Sequence, residues 1–194
     1  MFGLSGYSGA GTVSSNDPDG RPISLPKVTP ETLGGGVKPY ALTDHIHERE
    51  AGFHLSSLHN SKVKLAFVPA VTPWFSGIIS TLSVPLNRKV SAREIKELYE
   101  AKYAGEKLVR IGREVPGLKE IEGKHSWSVG GFQVHSEGDR AVVVVSGVLL
   151  IVKCFELTCY QGGLDNLLKG AATQCLQVRS ISSLVFLILT TTRT

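Results

Sequence analysis

The chain has 194 residues, enough to bury a sizeable core, and one domain is the default reading. Hydrophobic residues make up 42% and charged residues 20%, which excludes a disordered or fibrous class. The net charge of +4 comes from scattered pairs such as Lys62/Lys64, Arg88/Lys89 and Lys102/Lys107, which read as solvated faces and not as a nucleic-acid-binding patch.

Residues 1–39 hold few apolar side chains and many Gly, Pro and Ser, and they read as loops. Within them, Asn16-Asp17-Pro18-Asp19-Gly20 predicts a turn, and Leu33-Gly34-Gly35-Gly36 can supply no helix or strand interior. The N-terminus shows neither the basic nor the apolar stretch of a signal peptide, nor the arginines of a transit peptide. Thr43 or Asp44 is a suitable N-cap for a short helix through His45 and His47, with Glu48 and Glu50 near its positive end. Residues 63–71 predict a buried strand and 77–86 its continuation or partner, ending at Pro85. Ser91-Ala92-Arg93-Glu94 is a capping box opening a helix to about Ala104, with Ile95, Leu98, Tyr99 and Tyr103 on its apolar face.

Residues 108–111, 127–135 and 140–145 predict further strands. Gly130-Gly131 marks a bulge or close backbone approach inside the second of these. Residues 164–177 predict a helix capped by Asp165. The apolar stretches 141–152 and 181–189 are shorter than the ~20 residues that span a bilayer, so no membrane partner is expected. Cys154, Cys159 and Cys175 are an odd, sparse set with no C-x-x-C pair, which argues against a disulfide scaffold or a zinc ribbon. Strands outnumber helices without strict β-α-β alternation. The expected class is α+β, a mixed and largely antiparallel sheet with helices on one face.

Three segments could carry chemistry. In His45-Ile46-His47-Glu48-Arg49-Glu50, His47 and Glu50 are spaced i, i+3 on a helix, so the carboxylate can orient the imidazole for proton transfer. Two histidines and one carboxylate also suit a metal, and a polar helix start with surface histidines fits the spacing as well. Ser5-Gly6-Tyr7-Ser8-Gly9-Ala10-Gly11 could bring backbone N–H groups near an anion, or serve as a flexible linker; it lacks the Lys-Ser/Thr of a nucleotide-triphosphate loop. Asp165-Asn166-Leu167-Leu168-Lys169-Gly170-Ala171-Ala172 opens a helix with small residues, where Asn166 could hydrogen-bond a carboxamide or the helix could pack closely.

Taken in order with Phe67-Val68-Pro69 and Gly77-Ile78, these motifs closely resemble the N-acetyl-gamma-glutamyl-phosphate reductase family. The longer strings Tyr40-Ala41-Leu42-Thr43-Asp44-His45-Ile46-His47 and Leu167-Leu168-Lys169-Gly170-Ala171-Ala172-Thr173-Gln174-Cys175 look like its fungal, mitochondrial form. The resemblance covers residues 2–144 and 162–177. It implies the C-terminal catalytic and dimerisation domain of the glyceraldehyde-3-phosphate-dehydrogenase type. It also implies a homo-oligomer, mitochondrial location and a reaction of arginine biosynthesis. In that reaction a cysteine thiolate attacks N-acetyl-glutamyl phosphate, and NADP in its reduced form reduces the thioester to the semialdehyde. The resemblance makes His45 or His47 the acid–base group, with Glu50 orienting it. It puts Ser5, Gly6, Ser8, Gly9, Gly11 and Asn166 near the cofactor.

In the family the nucleophile lies in a Gly-Cys-Tyr-x-Thr turn upstream of the Ser-Gly-x-Ser-Gly loop. The chain starts at that loop, so it is expected to lack both nucleophile and cofactor domain and to be inactive alone. Cys159-Tyr160 has the wrong neighbours and follows the histidines. Two other roles stay open, a non-catalytic dimerisation module and a metal-dependent hydrolase using His45, His47 and Glu50. Residues 1–177 are expected to form the domain, interrupted by a non-native insertion at 145–161 and followed by a non-native tail at 178–194. Both segments can be encoded by retained introns.

Overall fold

The computed structural model describes residues 1–147 apart from 11, 60 and 122–125. The expected helix at 164–177, Asn166, the three cysteines and most of the expected insertion lie outside the described residues, as does Gly11.

Aliphatic residues at every second position of the later strands build the centre of a seven-stranded sheet. In chain order the elements are β1 (Phe2–Gly6), a 3-10 turn (Tyr7–Ala10), β2 (Thr12–Asn16), β3 (Pro22–Pro26), α1 (Pro30–Leu33), β4 (Lys38–Pro39) and α2 (Ile46–His59). They continue with β5 (Val68–Thr72), β6 (Ile78–Pro85), α3 (Ala92–Lys102), β7 (Val109–Ile111), β8 (Trp127–Val134) and β9 (Arg140–Gly147). The sheet order is β4-β5-β1-β6-β9-β8-β7, with β2 and β3 forming a separate hairpin. β1/β5 and β7/β8 pair parallel and the other pairs antiparallel. The mixed, largely antiparallel α+β class is therefore the one observed.

One row of side chains makes the core. Leu82 and Val84 of β6, Ala141, Val143 and Val145 of β9 and Val129 of β8 pack with Leu55 of α2 and Ile95 and Tyr99 of α3. Both longer helices thus cover the same sheet face. Tyr99 is fully buried and meets Phe132 edge-on at 5.1 Å. α3 starts as the sequence predicts, with Ser91 Oγ accepting from the Glu94 N–H and Glu94 accepting from the Ser91 N–H.

Residues 1–39 correct the loop reading. β1, despite two glycines, lies near the middle of the sheet between β5 and β6. Gly3 is required there, since a Cβ would stand 2.7 Å from the Phe67 ring. Local composition lost to a tertiary demand for thinness. The Asp17–Gly20 turn does form, with the Gly20 N–H donating to the Asp17 carbonyl, and it links β2 to β3. β9 runs two residues past its expected end, and Ser146 pairs with Ile79 and Ser128. Val145–Gly147 are therefore part of the sheet.

Candidate active site

α2 is capped by a histidine. Thr43 or Asp44 was the expected cap; the helix instead begins at Ile46, because Asp44 sits at φ 61°, outside the extended conformation an N-cap adopts. The His45 carbonyl accepts from the Glu48 N–H at 2.9 Å, and its imidazole Nδ1 accepts from the His47 N–H at 3.2 Å. A ring nitrogen does the work usually given to a Ser or Asp oxygen.

That bond fixes the chemistry of His45. Nδ1 must be unprotonated to accept, so the neutral ring carries its proton on Nε2 and can donate there. The His45 ring packs edge-on against Tyr40 at 5.7 Å, His47 at 4.9 Å and Phe67 at 5.4 Å. Burial, then the neighbouring His47, holds its pKa below the ordinary histidine value, against the opposing pull of Glu50 and Glu48. Burial raises the pKa of Tyr40.

The consequence for stability has a definite sign. Folded His45 binds a proton less tightly than the unfolded chain does. Its contribution is complete above the ordinary value of 6.5 and is lost as pH falls through the lower folded value. Urea unfolding between pH 7.5 and 5 should therefore show the wild type losing stability relative to His45→Asn, which keeps a capping acceptor without a titrating ring. Parallel curves for the two proteins would show that His45 protonation is not linked to folding.

His47 is arranged differently. Its Nδ1 is 2.8 Å from Glu50 Oε2, one helical turn on. With Nδ1–H donating to the carboxylate, Nε2 is the ring atom through which a proton would be taken or given. The i, i+3 pairing expected from the sequence is therefore present, and the two histidines hold different tautomers.

Three N–H groups of the Ser5–Gly9 segment are taken up within the fold. The N–H groups of Gly6, Tyr7 and Ser8 donate to the carbonyls of Gly77, Trp74 and Phe75. A Cβ at Gly6 would stand 2.7 Å from backbone atoms of Phe75 and Ser76. Gly6 serves close packing against the β5–β6 turn, a Cβ at Gly9 would stand 2.9 Å from Ser5 Oγ, and the Ser5 hydroxyl donates to the Gly6 carbonyl at 3.3 Å. Register also separates this segment from the histidines. Ser5 and Gly6 pair with Val71 and Thr72, whereas His45 rests on Phe67, about 13 Å back along β5.

The metal reading of the histidine cluster does not survive the geometry. Among the described residues, the trio whose ligand atoms lie within 4.8 Å of one another is His135, Glu137 and Asp139, all exposed at the β8–β9 turn. His45, His47 and Glu50 do not converge in that way. Among the described residues no helix is long and apolar enough to cross a membrane.

A mixed sheet covered on one face by two helices has a counterpart among known proteins. The family profile described as "Semialdehyde dehydrogenase, dimerisation domain" matches residues 1–147, and the chain belongs to that family. The match ends where β9 ends. Among curated relatives, "Protein arg-6, mitochondrial" of Neurospora crassa is 44% identical over 177 residues, 91% of this chain and 16% of that protein. "Protein arg11, mitochondrial" of Schizosaccharomyces pombe is 43% identical over 94% of this chain and 17% of its own length. The N-acetyl-gamma-glutamyl-phosphate reductase of Stenotrophomonas maltophilia is 39% identical over 91% of this chain and 45% of that enzyme. The resemblance read from the motifs is thus borne out, and the chain spans less than half the length of these relatives. Aspartate semialdehyde dehydrogenase II from Vibrio cholerae shares the fold, with a TM-score of 0.54 at 15% identity over 93% of this chain and 53% of that one.

Proposed function

We propose that this chain is the dimerisation and acid–base half of a mitochondrial N-acetyl-gamma-glutamyl-phosphate reductase. The observation that carries the reading is the His47 Nδ1–Glu50 contact at the start of α2. In this reading His47 Nε2 takes the proton of the attacking thiol and returns it to the thiolate expelled when the hemithioacetal alkoxide, formed by hydride transfer, collapses to the aldehyde. Glu50 keeps the ring in the required tautomer. His45, neutral and protonated on Nε2, donates a hydrogen bond to a substrate oxygen. NADPH, when bound, would supply the hydride. This chain's contribution to holding it would be the hydroxyls of Ser5 and Ser8, with Gly6 and Gly9 keeping their turn thin. The assignments of Gly11 and Asn166 to the cofactor rest on the resemblance alone.

The homo-oligomer reading is supported by the sheet face turned away from the helices. Register places Phe2, Thr81 and Val144 in one row of that face and Leu4 and Ile79 in the next, and Phe2 is 41% exposed. A second copy of this chain would cover the row.

The Gly-Cys-Tyr-x-Thr turn that holds the family's nucleophile does not occur in these 194 residues. The purified chain is therefore expected to show no NADPH oxidation with N-acetyl-glutamyl phosphate. Turnover that persisted in Cys159→Ser and Cys175→Ser would overturn the thiolate mechanism for this chain. Turnover abolished by Cys159→Ser would make that cysteine the nucleophile.

We also propose that residues 145–161 and 178–194 derive from retained introns, the first three residues of the former being the last three of β9. Reads crossing Val144 to Gly162 are expected to include spliced transcripts. If every read keeps the intervening nucleotides, the proposal fails.

A further inference from the structure

Glu48 stands at the third position of α2, where a carboxylate commonly reaches back to cap its own helix. α3 is built that way, with Glu94 accepting from the Ser91 N–H at 2.7 Å. α1 does the same with Thr32 and the Thr29 N–H at 2.9 Å. Glu48 does not. Its Oε2 accepts from the N–H of Phe67 at 2.8 Å, across nineteen positions of sequence, at the residue that leads into β5.

The diverted carboxylate acts on the histidines through Phe67. The Phe67 ring is buried beneath Gly3 of β1 and meets His45 edge-on at 5.4 Å. The same residue thus receives the helix through its N–H and supports the imidazole through its ring. His45 supplies the other half of a cap, its Nδ1 accepting from the His47 N–H. The neighbouring backbone is bent to allow this, with Ala41 at φ 43° and Asp44 at φ 61°. The fold holds two non-glycine residues in the left-handed region immediately before the site.

We propose that Glu48 is a positioning residue of this site, a carboxylate withdrawn from helix capping to pin the start of α2 to Phe67 and so fix both imidazoles against the sheet. Removing it frees the helix start to cap itself with another group and lets the His45 ring leave Phe67. That the imidazoles move protons rests on the function proposed above. The pinning does not, and the experiment requires no turnover.

Amide hydrogen exchange at Phe67 and the ring resonances of His45 and His47 would be followed by NMR in the 194-residue chain. Glu48→Ala should speed exchange at Phe67 by about tenfold or more, the scale of a lost charged hydrogen bond, and shift the His45 ring signals. Glu48→Gln, which keeps an acceptor of the same reach, should hold exchange within about threefold of wild type and restore the ring signals. Ser91→Ala, which removes an unrelated helix cap, should move neither. If Glu48→Ala does not fold, Glu48→Asp takes its place, since an acceptor one methylene short cannot reach Phe67. Unchanged Phe67 exchange in the Ala variant, or in the Asp variant if that one is used, would overturn the proposal. So would a Gln variant no better than that variant, or His45 signals that move equally in Ser91→Ala. If the pinning holds while replacing His47 leaves turnover intact, the proposed function fails and the role of Glu48 in the fold stands.

Discussion

Replacing His47 with alanine, in this domain restored to a full-length context with the proposed reductase activity, is expected to lower kcat by roughly 10²–10⁴-fold, the usual worth of a positioned acid–base group. The expectation rests on tautomer assignment. Glu50 engages Nδ1 of His47, so the proton on that nitrogen is held and Nε2 is left with the lone pair that a base needs. His45 is in the opposite state, since its Nδ1 lone pair accepts from the His47 N–H and its Nε2 bears hydrogen. A ring in that state can accept a proton only by giving up the helix cap. His45→Ala should therefore act chiefly through binding, raising KM more than it lowers kcat. Glu50→Gln should fall between wild type and His47→Ala. Its carboxylate is half-exposed, and an amide can still contact the ring, though not stabilise its cation as well. Steady-state kinetics of the three variants across pH decide the matter. Were His45→Ala to carry the larger loss in kcat, with His47→Ala near wild type, the division of labour between the rings would be reversed.

What could be read beforehand follows the range of the interaction concerned. The capping box of Ser91 and Glu94, the Asp17–Gly20 turn and the strands at 78–85 and 140–147 are short-range patterns, and each appears near where the residues place it. The His47–Glu50 contact belongs to the same class, because i, i+3 neighbours meet on any helix. The partnering of 77–86 with 63–71 is long-range and is corrected, since β6 pairs with β1 and β9. β1 was not legible. Phe2-Gly3-Leu4-Ser5-Gly6 has a poor strand composition, and it is a strand because β5 and β6 flank it and the Phe67 ring leaves no room for a side chain at Gly3. The packing of the Ser5–Gly9 segment was not legible for a related reason. Glycines that permit an anion cradle also permit close packing, and the bonds from the Gly6, Tyr7 and Ser8 N–H groups to Gly77, Trp74 and Phe75 depend on residues about seventy positions away. The cap of α2 was missed because Thr43 and Asp44 are better capping residues than histidine. The left-handed turn at Asp44, set by the path from β4, moves the helix start past both.

Gly130→Ala should be among the most damaging single substitutions in the sheet. A Cβ there would stand 2.1 Å from the carbonyl oxygen of Glu114 and 3.4 Å from that of Gly112, and both are backbone atoms that no rotamer change can move aside. The contact exists because the segment after β7 crosses directly over β8. The next residue, Gly131, takes φ 64° and makes the bulge: the register passes from Gly130 opposite Val144 to Gln133 opposite Val142. Two residues then face one, and the alternation of β8 changes phase. Trp127 and Val129 point into the core before the bulge, and Phe132 and Val134 join it after. Without the extra residue Phe132 would turn to the opposite face and Tyr99 would lose its ring partner. The alanine must push the crossing segment outward or unmake the bulge. Either route should cost about 3–5 kcal/mol and lower Tm by roughly 10–15 °C. Gly105→Ala supplies the converse comparison, since that glycine, unlike Gly130, has positive φ, at 85°, and nothing lies within 4 Å of its Cβ position. It should lose only the cost of the left-handed conformation, about 1–2 kcal/mol. Equal losses for the two variants in thermal or urea unfolding would mean that the crossing segment yields easily. The bulge, and not the contact with Glu114, would then be what Gly130-Gly131 secures.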